Sequence, residues 1–531
     1  MRLTGLLNLG QGTCPRVPRV LAMERVVGHE SWDKGPVPVS QVSKDERKVI
    51  MKYEVVIGLE VHVELLTKCK LFCSCPNRFV SEPNLNTCPV CLGFPGTMPQ
   101  LSREALNQAL KASLALNCEV ALYSYFDRKN YFYPDMPKGY QISQYYIPLG
   151  SRGHLEIDDD QGKLKKIGVG RVHMEEDAGK LIHETTGGIA IDSSMVDYNR
   201  AGVPLIEIVS EPDLRSSGEA KRYLEKLKSM MQYAGVSDCK MEEGSLRCDA
   251  NVSLRMPEDE AYGVKTELKN MNSFRAVERS LDHEIKRQAE LLDQGEKVIT
   301  QTLRWDEDKQ QTIVMRSKLE ADDYRCFADP ELVPIELTAQ EVENARQNLP
   351  EMADERARRF VKDYGLPGYD AGVLTSSRCL ADYFESCLQL FNKPKEVSNW
   401  VMGEFSARLN NAGLEADQAS FTPEDMAELL KMIDKQEISG KIAKEVLEKA
   451  FQSGKKPRRV VEEEGLLQIS DQSELEAIVD RVISENPDTV ENYRGGKSKA
   501  LGHLVGQVMK ETRGKANPQL VNELLVKKID G

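Results

Sequence analysis

A chain of 531 residues exceeds one ordinary hydrophobic core, so its length implies two to four domains. Hydrophobic residues at 40%, charged residues at 29% and a mean hydropathy of −0.46 describe a soluble globular protein, and no apolar run approaches the roughly 18 residues a membrane span needs. A net charge of −13 excludes a surface coated for nucleic acid while leaving room for a local basic face, and twelve cysteines, four of them within Cys73 to Cys91, fit a reduced, cytoplasmic protein with one metal-like cluster.

Residues 1–50 mix Arg and Glu with Val, Pro and Gly and lack the apolar stretch and cleavage pattern of a secretory signal. They are set aside from the fold as a disordered extension or, preferably, an over-called start, since Met51 directly precedes a strand-like run. From 51 to 337 the text is α+β. Val55–Leu65, Gly168–Met174, Leu205–Val209 and Ala250–Leu254 read as strands, and Ser102–Leu116 and Ser216–Ala234 as two amphipathic helices that open on a serine. Strands and helices do not alternate regularly, which predicts a mostly antiparallel sheet flanked by helices. From 338 the text is helical: Thr338–Leu349, Met352–Tyr364, Ser376–Phe391 and Val397–Asn410, with a break at Gly365-Leu-Pro-Gly368. Thr422-Pro423 is a clear helix start, so a helical domain over 338–420 is expected to give way to a helical tail over 421–531.

Side chains alternate along a strand, so in Val55–Leu65 Glu60, His62 and Glu64 point one way and Leu59, Val61, Val63 and Leu65 the other. A sheet with one wet face is the plainer explanation, but two like charges flanking an imidazole gain little as solvated surface, so a cation site is the alternative. Glu207 stands among Leu205, Ile206, Ile208 and Val209, where a carboxylate is costly unless paired or metal-bound. Asp249, Asn251 and Ser253 share a strand face and offer oxygen ligands to a hard cation, against a salt-bridge network as the plainer reading. Cys73-Ser-Cys75 and Cys88-Pro-Val-Cys91 form two knuckles whose four thiolates suit tetrahedral, structural zinc. The stretch Arg128 to Tyr140 places Arg128 and Lys129 among aromatic rings, able to meet phosphate or simply to pack a loop. Arg494-Gly-Gly-Lys-Ser498 lacks the earlier glycine of a P-loop, and no serine or cysteine nucleophile of a glutaminase is evident, so ammonia, if used, comes from elsewhere. The basic run Gly495 to Pro518 is either a phosphate-contacting face or a solvated one.

Several of these stretches carry a resemblance. Ile57-Gly-Leu-Glu-Val-His62, Phe126 to Pro134, His173-Met-Glu-Glu-Asp-Ala-Gly179, Pro204 to Pro212, Met241 to Asn251, Glu267 to Ser273, Asp322 to Arg325, Asn399 to Met402 and Ala516 to Val521 are similar to the B subunits of tRNA-dependent amidotransferases. The resemblance implies a glutamine synthetase-like cradle over 51–337, a helical domain and a YqeY-like tail that grips tRNA. It implies that Glu60, His62, Glu176, Glu207 and Asp249 line a magnesium–ATP site, with Glu175 the neighbouring alternative to Glu176, and that Lys129, beside Arg128, meets phosphate. Magnesium's preference for oxygen sits awkwardly with His62, which is then free to touch phosphate or a bound water. The implied reaction phosphorylates the side-chain carboxylate of Glu-tRNA(Gln), with Asp-tRNA(Asn) as a further substrate. It then amidates that carboxylate with ammonia from the glutaminase A subunit, which the small C subunit braces. The full cysteine quartet implies a zinc-bearing member. Two rival readings are a tRNA-binding scaffold without catalysis, in which the acids would not converge, and a free-standing ligase acting on a small carboxylate.

Overall fold

The computed structural model describes residues 52–184, 190–317, 324–466, 472–497, 499–512, 516 and 518–530. The expected 1–50 extension, Asp322 and Asp323 of one motif, and Ser498, 513–515 and Asn517 of the basic run lie outside the described residues.

The first part of the chain is built on strands β1 (Glu54–Glu64), β2 (Glu119–Val120), β3 (Tyr123–Ser124), β4 (Asp127–Asn130), β5 (Tyr140–Ser143), β6 (Gly150–Asp158), β7 (Leu164–Glu176) and β8 (Lys180–Glu184). There follow β9 (Ala190–Asp197), β10 (Pro204–Ser210), β11 (Leu246–Arg255), β12 (Thr266–Lys269), β13 (Gln301–Asp306), β14 (Gln311–Ser317), β15 (Phe327–Ala328) and β16 (Ile335–Glu336). Twelve of them form one sheet in the order β14-β13-β12-β11-β1-β10-β7-β5-β4-β15, with β6 also on β7 and β2 on β6. Every pairing in it is antiparallel except β12 with β13, which is the architecture expected from the irregular order of strands and helices.

The alternation in β1 decides which face is which. Val61 and Val63 are fully buried and join Ile206, Ile208 and Val252 in one core with Leu106 and Leu110, Leu224 and Leu227, and Val277 and Leu281. These last pairs come from helices Arg103–Ala115, Ser217–Tyr233 and Phe274–Asp293, which cover that face. Each such side chain is worth about 1.5–3 kcal/mol buried, and a one-residue slip would turn all of them outward, so the core fixes the register that aligns Glu60 and His62 with their neighbours. Ser102 and Ser216 cap the first two helices, accepting from the N–H groups of Ala105 and Glu219. The third helix is a correction to the expectation of two.

A second core joins residues from Phe360 to Val461, and a third joins Leu475 to Ile529. Thr338 and Thr422 each close a capping box, with Glu341 and Asp425, and Thr422 starts its helix, Pro423–Asp434, inside the second core. The helix expected over 397–410 is instead Pro394–Trp400, a π turn at Val401–Phe405 and Ser406–Ala412; the Ser406 hydroxyl donates to the Val401 carbonyl at 2.7 Å across the widened turn. No described helix is long and apolar enough to cross a membrane.

Candidate active site

The uncovered face of the sheet gathers its acids by register. His62 on β1 lies opposite Glu207 on β10, which lies opposite His173 on β7, while Glu60 lies opposite Asp249 on β11. Directly opposed residues share a face, so side chains from four strands meet. His62 Nε2 is 3.2 Å from a Glu175 carboxylate oxygen, 3.4 Å from Glu207 and 4.0 Å from Glu60. His173 Nε2 sits 3.6 Å from Glu207 and 3.7 Å from Glu175. Glu60, His62 and Glu207 offer ligand atoms within 4.8 Å of one another, as do His173, Glu175 and Glu207, so Glu207 is common to two cation-sized groups.

The charges respond to this crowding. Burial pushes the Glu60 carboxyl up, and the neighbouring Glu207 pushes it further. Burial alone would lower His62, but hydrogen bonds to Glu175 and Glu207 and their negative charge raise it to about 10. Glu175 and Glu207 feel the opposite balance: burial raises them, and the two imidazoles, as hydrogen-bond partners and as charges, pull Glu175 well below the usual carboxylate range and Glu207 below it as well. Further along β1, Glu64 is pushed up to about 7 by burial and by Asp177.

The predicted site residues are not all brought together. Glu60, His62 and Glu207 converge, with Asp249 beside Glu60 and in contact with Lys269 of β12. Glu176 does not join them. It follows Glu175 on β7 and so faces the other way, where its carboxylate takes Lys138 and the Ile142 N–H, the latter at 3.0 Å. The acid of this pair on the cluster face is Glu175. Arg128 is engaged by Asp329 at 2.8 Å and Glu331 at 3.0 Å and lies over the Tyr140 ring, which corrects its expected role toward phosphate. Lys129 lies 4.7 Å from the Tyr324 ring centre, on the face it shares through Asp127 and Ser143 with Glu175. His173 and Lys269 lie within the family-like stretches His173–Gly179 and Glu267–Ser273 and add an imidazole and a cation that the sequence pattern alone does not single out. His173 falls two residues before Glu175, and that spacing could have found it.

The residues fit a divalent cation. Two carboxylates and an imidazole lie at ligand separation in each group, like charges are held together, and His173 Nδ1 is buried with no hydrogen-bond partner among the described residues. The cysteine quartet fits a second, different ion: Cys73, Cys75, Cys88 and Cys91 offer sulfurs within 4.8 Å of one another, and all four thiols are free of disulfides. Cys91 is held down to about 5 by hydrogen bonding from Cys73, aided by the Cys88 N–H at 3.1 Å and the charge of Lys70, whose Nζ is 3.9 Å away. Lys70 is fully buried, and a buried ammonium beside four thiols balances the charge of a thiolate site. Gly93, with φ +68°, closes the second knuckle against Lys138, where a Cβ would come within 2.4 Å of Cγ, so the knuckle buttresses the lysine that holds Glu176.

An acid- and histidine-lined antiparallel cradle followed by helical modules is the design of a ligase-type catalytic subunit, and sequence comparison agrees. A family model described as the GatB/GatE catalytic domain matches residues 55–343, and one described as the GatB domain matches residues 382–529. The B subunit of the aspartyl/glutamyl-tRNA(Asn/Gln) amidotransferase of Carboxydothermus hydrogenoformans is 56% identical over 90% of this chain and 99% of its own length. Those of Thermoanaerobacter pseudethanolicus and Moorella thermoacetica are each 57% identical over 90% of the chain, covering 99% and 100% of the relatives. The chain belongs to the family of aspartyl/glutamyl-tRNA(Asn/Gln) amidotransferase B subunits, whose work is tRNA-dependent amidation.

Proposed function

We propose that this chain is the kinase and transamidase subunit that acts on Glu-tRNA(Gln), and on Asp-tRNA(Asn) where that substrate is presented. In the first step a side-chain carboxylate oxygen attacks the γ-phosphorus of ATP and ADP leaves. In the second, ammonia attacks the acyl carbon and inorganic phosphate departs, leaving the amide on the tRNA. The single observation that carries this reading is the meeting of Glu60, His62, Glu175, Glu207 and His173, contributed by three strands, on one face of the sheet. Such convergence is what a scaffold without chemistry would lack.

Glu60, Glu207 and Glu175 would hold magnesium by oxygen, with His62 and His173 at its margin and Asp249 beyond Glu60. The ion would neutralise charge on the phosphoryl oxygens during transfer. Lys129, on the same face beyond β7, suits the incoming carboxylate or phosphate. The protein's own task is to hold two anions in line and exclude water from an acyl phosphate that would otherwise hydrolyse. Ammonia would come from a partner glutaminase, the A subunit, and a small C subunit would complete the heterotrimer. Zinc in the cysteine quartet would be closed to substrate and structural. The cradle would span 51–337 and the helices after it would carry tRNA contacts, with the division between helical domain and tail placed after the second core, near Val461, rather than at 420, because Phe421, Met426 and Leu430 pack into that core.

The test is ATP- and glutamine-dependent amidation of Glu-tRNA(Gln) by the reconstituted complex. Glu207→Gln is expected to abolish amidation while tRNA binding persists; full amidation by that variant would remove the catalytic assignment.

A further inference from the structure

Resting on the reading of the cysteine quartet as a metal centre, we propose that Lys70 is its built-in counter-ion, so that occupancy of the quartet and burial of the lysine form one equilibrium.

Lysine is almost never fully buried unless it is paired, because an ammonium withdrawn from water needs a compensating charge. Lys70 is 0% exposed. Its Nζ donates to the Asn86 carbonyl at 2.8 Å and lies 3.9 Å from Cys91 Sγ, and no carboxylate pairs with it among the described residues. The negative charge on offer is therefore sulfur. A neutral thiol offsets little of a buried ammonium's desolvation, whereas a thiolate offsets much of it, and four thiolates stay together only around a cation. The two needs are complementary: a divalent ion within four thiolates leaves an excess of negative charge, and one ammonium reduces that excess.

The fold fixes this position from several sides. The Lys70 N–H donates to the Cys75 carbonyl at 2.9 Å inside the first knuckle, and the Leu71 N–H donates to the Gly202 carbonyl at 2.9 Å. Asn86, whose carbonyl takes the ammonium, is itself buried; its N–H donates to the Asn199 side chain at 2.8 Å and its amide to the Pro76 carbonyl at 2.8 Å. Gly202, with φ +86°, walls in the lysine stem, since a Cβ there would lie 3.4 Å from Cys91 Cβ and 3.6 Å from Lys70 Cδ. Lys138, the other cation against the second knuckle, is taken by Glu176, which leaves Lys70 to the sulfurs. An emptied, protonated quartet would strand the ammonium, and its exit would part the wall formed by Leu71 and Gly202. By linkage, whatever the metal gains from the lysine, the buried lysine gains from the metal.

The experiment uses the assembled amidotransferase, zinc-bound and zinc-stripped, with Lys70→Met, which keeps the stem and removes the charge. Zinc affinity, from competition with a chromophoric chelator, is expected to fall roughly ten- to a hundredfold in the variant, the range for partners just outside a metal's own ligands. Amide exchange at Leu71 and Gly202, read by mass spectrometry, is expected to accelerate when zinc is stripped from the parent and to accelerate less in Lys70→Met, which has no ammonium to strand. Unchanged zinc affinity in the variant, or equal acceleration in both proteins, overturns the proposal. Should Lys70→Met not fold, the parent decides: exchange at Leu71 and Gly202 that is the same with and without zinc overturns it. A parent that binds no zinc sinks instead the reading of the quartet as a metal centre.

Discussion

The adjacent acids Glu175 and Glu176 make a sharp comparison, because one strand places them on opposite faces. Glu175 is buried, receives His62 at 3.2 Å and His173 at 3.7 Å, and stands in one of the two cation-sized groups. Replacing it with Gln keeps the volume and removes the charge. Even a group that only orients ligands is worth ten- to a hundredfold in metal affinity, about 1.4–2.7 kcal/mol, so Glu175→Gln should weaken Mn²⁺ binding by at least that factor. Glu176 instead pairs with Lys138, the two side chains being 3% and 8% exposed. Removing one partner of a buried pair costs about 3–5 kcal/mol, so Glu176→Gln should lower the thermal midpoint by several degrees and leave Mn²⁺ affinity near the parent value. The assay is Mn²⁺ titration by electron paramagnetic resonance beside differential scanning calorimetry of both variants. Equal loss of Mn²⁺ affinity in the two, or loss in Glu176→Gln alone, would refute the facing of β7 on which the site rests.

Three further outcomes follow. Cys75→Ser should abolish the bound zinc measured by atomic absorption and destabilise the cradle, while any protein that stays folded retains amidation; unchanged zinc content would remove the quartet's assignment. Glu385 is drawn from 4.5 to about 2 against its burial by hydrogen bonds from Arg359, Tyr364 and Arg356. A depressed folded value stabilises above the unfolded pKa and is lost as pH falls, so about 2 kcal/mol, after solvent screening of this half-buried group, should disappear as pH falls from the unfolded value to the folded one. Glu385→Gln should flatten that acid limb in urea titrations; an unaltered limb would deny the network its role. The Tyr233 hydroxyl, from a cradle helix, donates at 2.7 Å to the Thr375 carbonyl next to the second core, and Tyr233→Phe should cost about 1 kcal/mol, read as a lower denaturation midpoint. A midpoint at or above the parent's would contradict that contact.

Much of the cradle was legible because one buried face imposes a period of two. The alternation in β1 oriented Glu60 and His62 correctly, and Glu207 stood out as an acid in an apolar frame. The same rule failed at Glu175 and Glu176, where either phase of the strand presents a carboxylate; His173, two residues upstream of Glu175, shares its phase and would have decided the choice. Arg128 was read as a phosphate ligand because its partners, Asp329 and Glu331, lie some two hundred residues away, beyond the reach of any local pattern. The helix Phe274–Asp293 is hard to read in the sequence because its buried stripe includes Ser280, Glu284 and Gln288, which blur the apolar period. Glu284 is satisfied there by Thr266, Gln288 and Arg287, an arrangement only the fold reveals. The π turn at Val401–Phe405 likewise leaves no mark on hydrophobic spacing.

The most direct test of the account is the position of a divalent ion in crystals of the complex grown with Mn²⁺ and a non-hydrolysable ATP analogue, located by anomalous scattering at the manganese edge. A peak is expected within coordination distance of the Glu60 and Glu207 carboxylates, with the analogue's terminal phosphate on the same ion. A nucleotide and ion bound elsewhere, with these carboxylates touching neither, would contradict it.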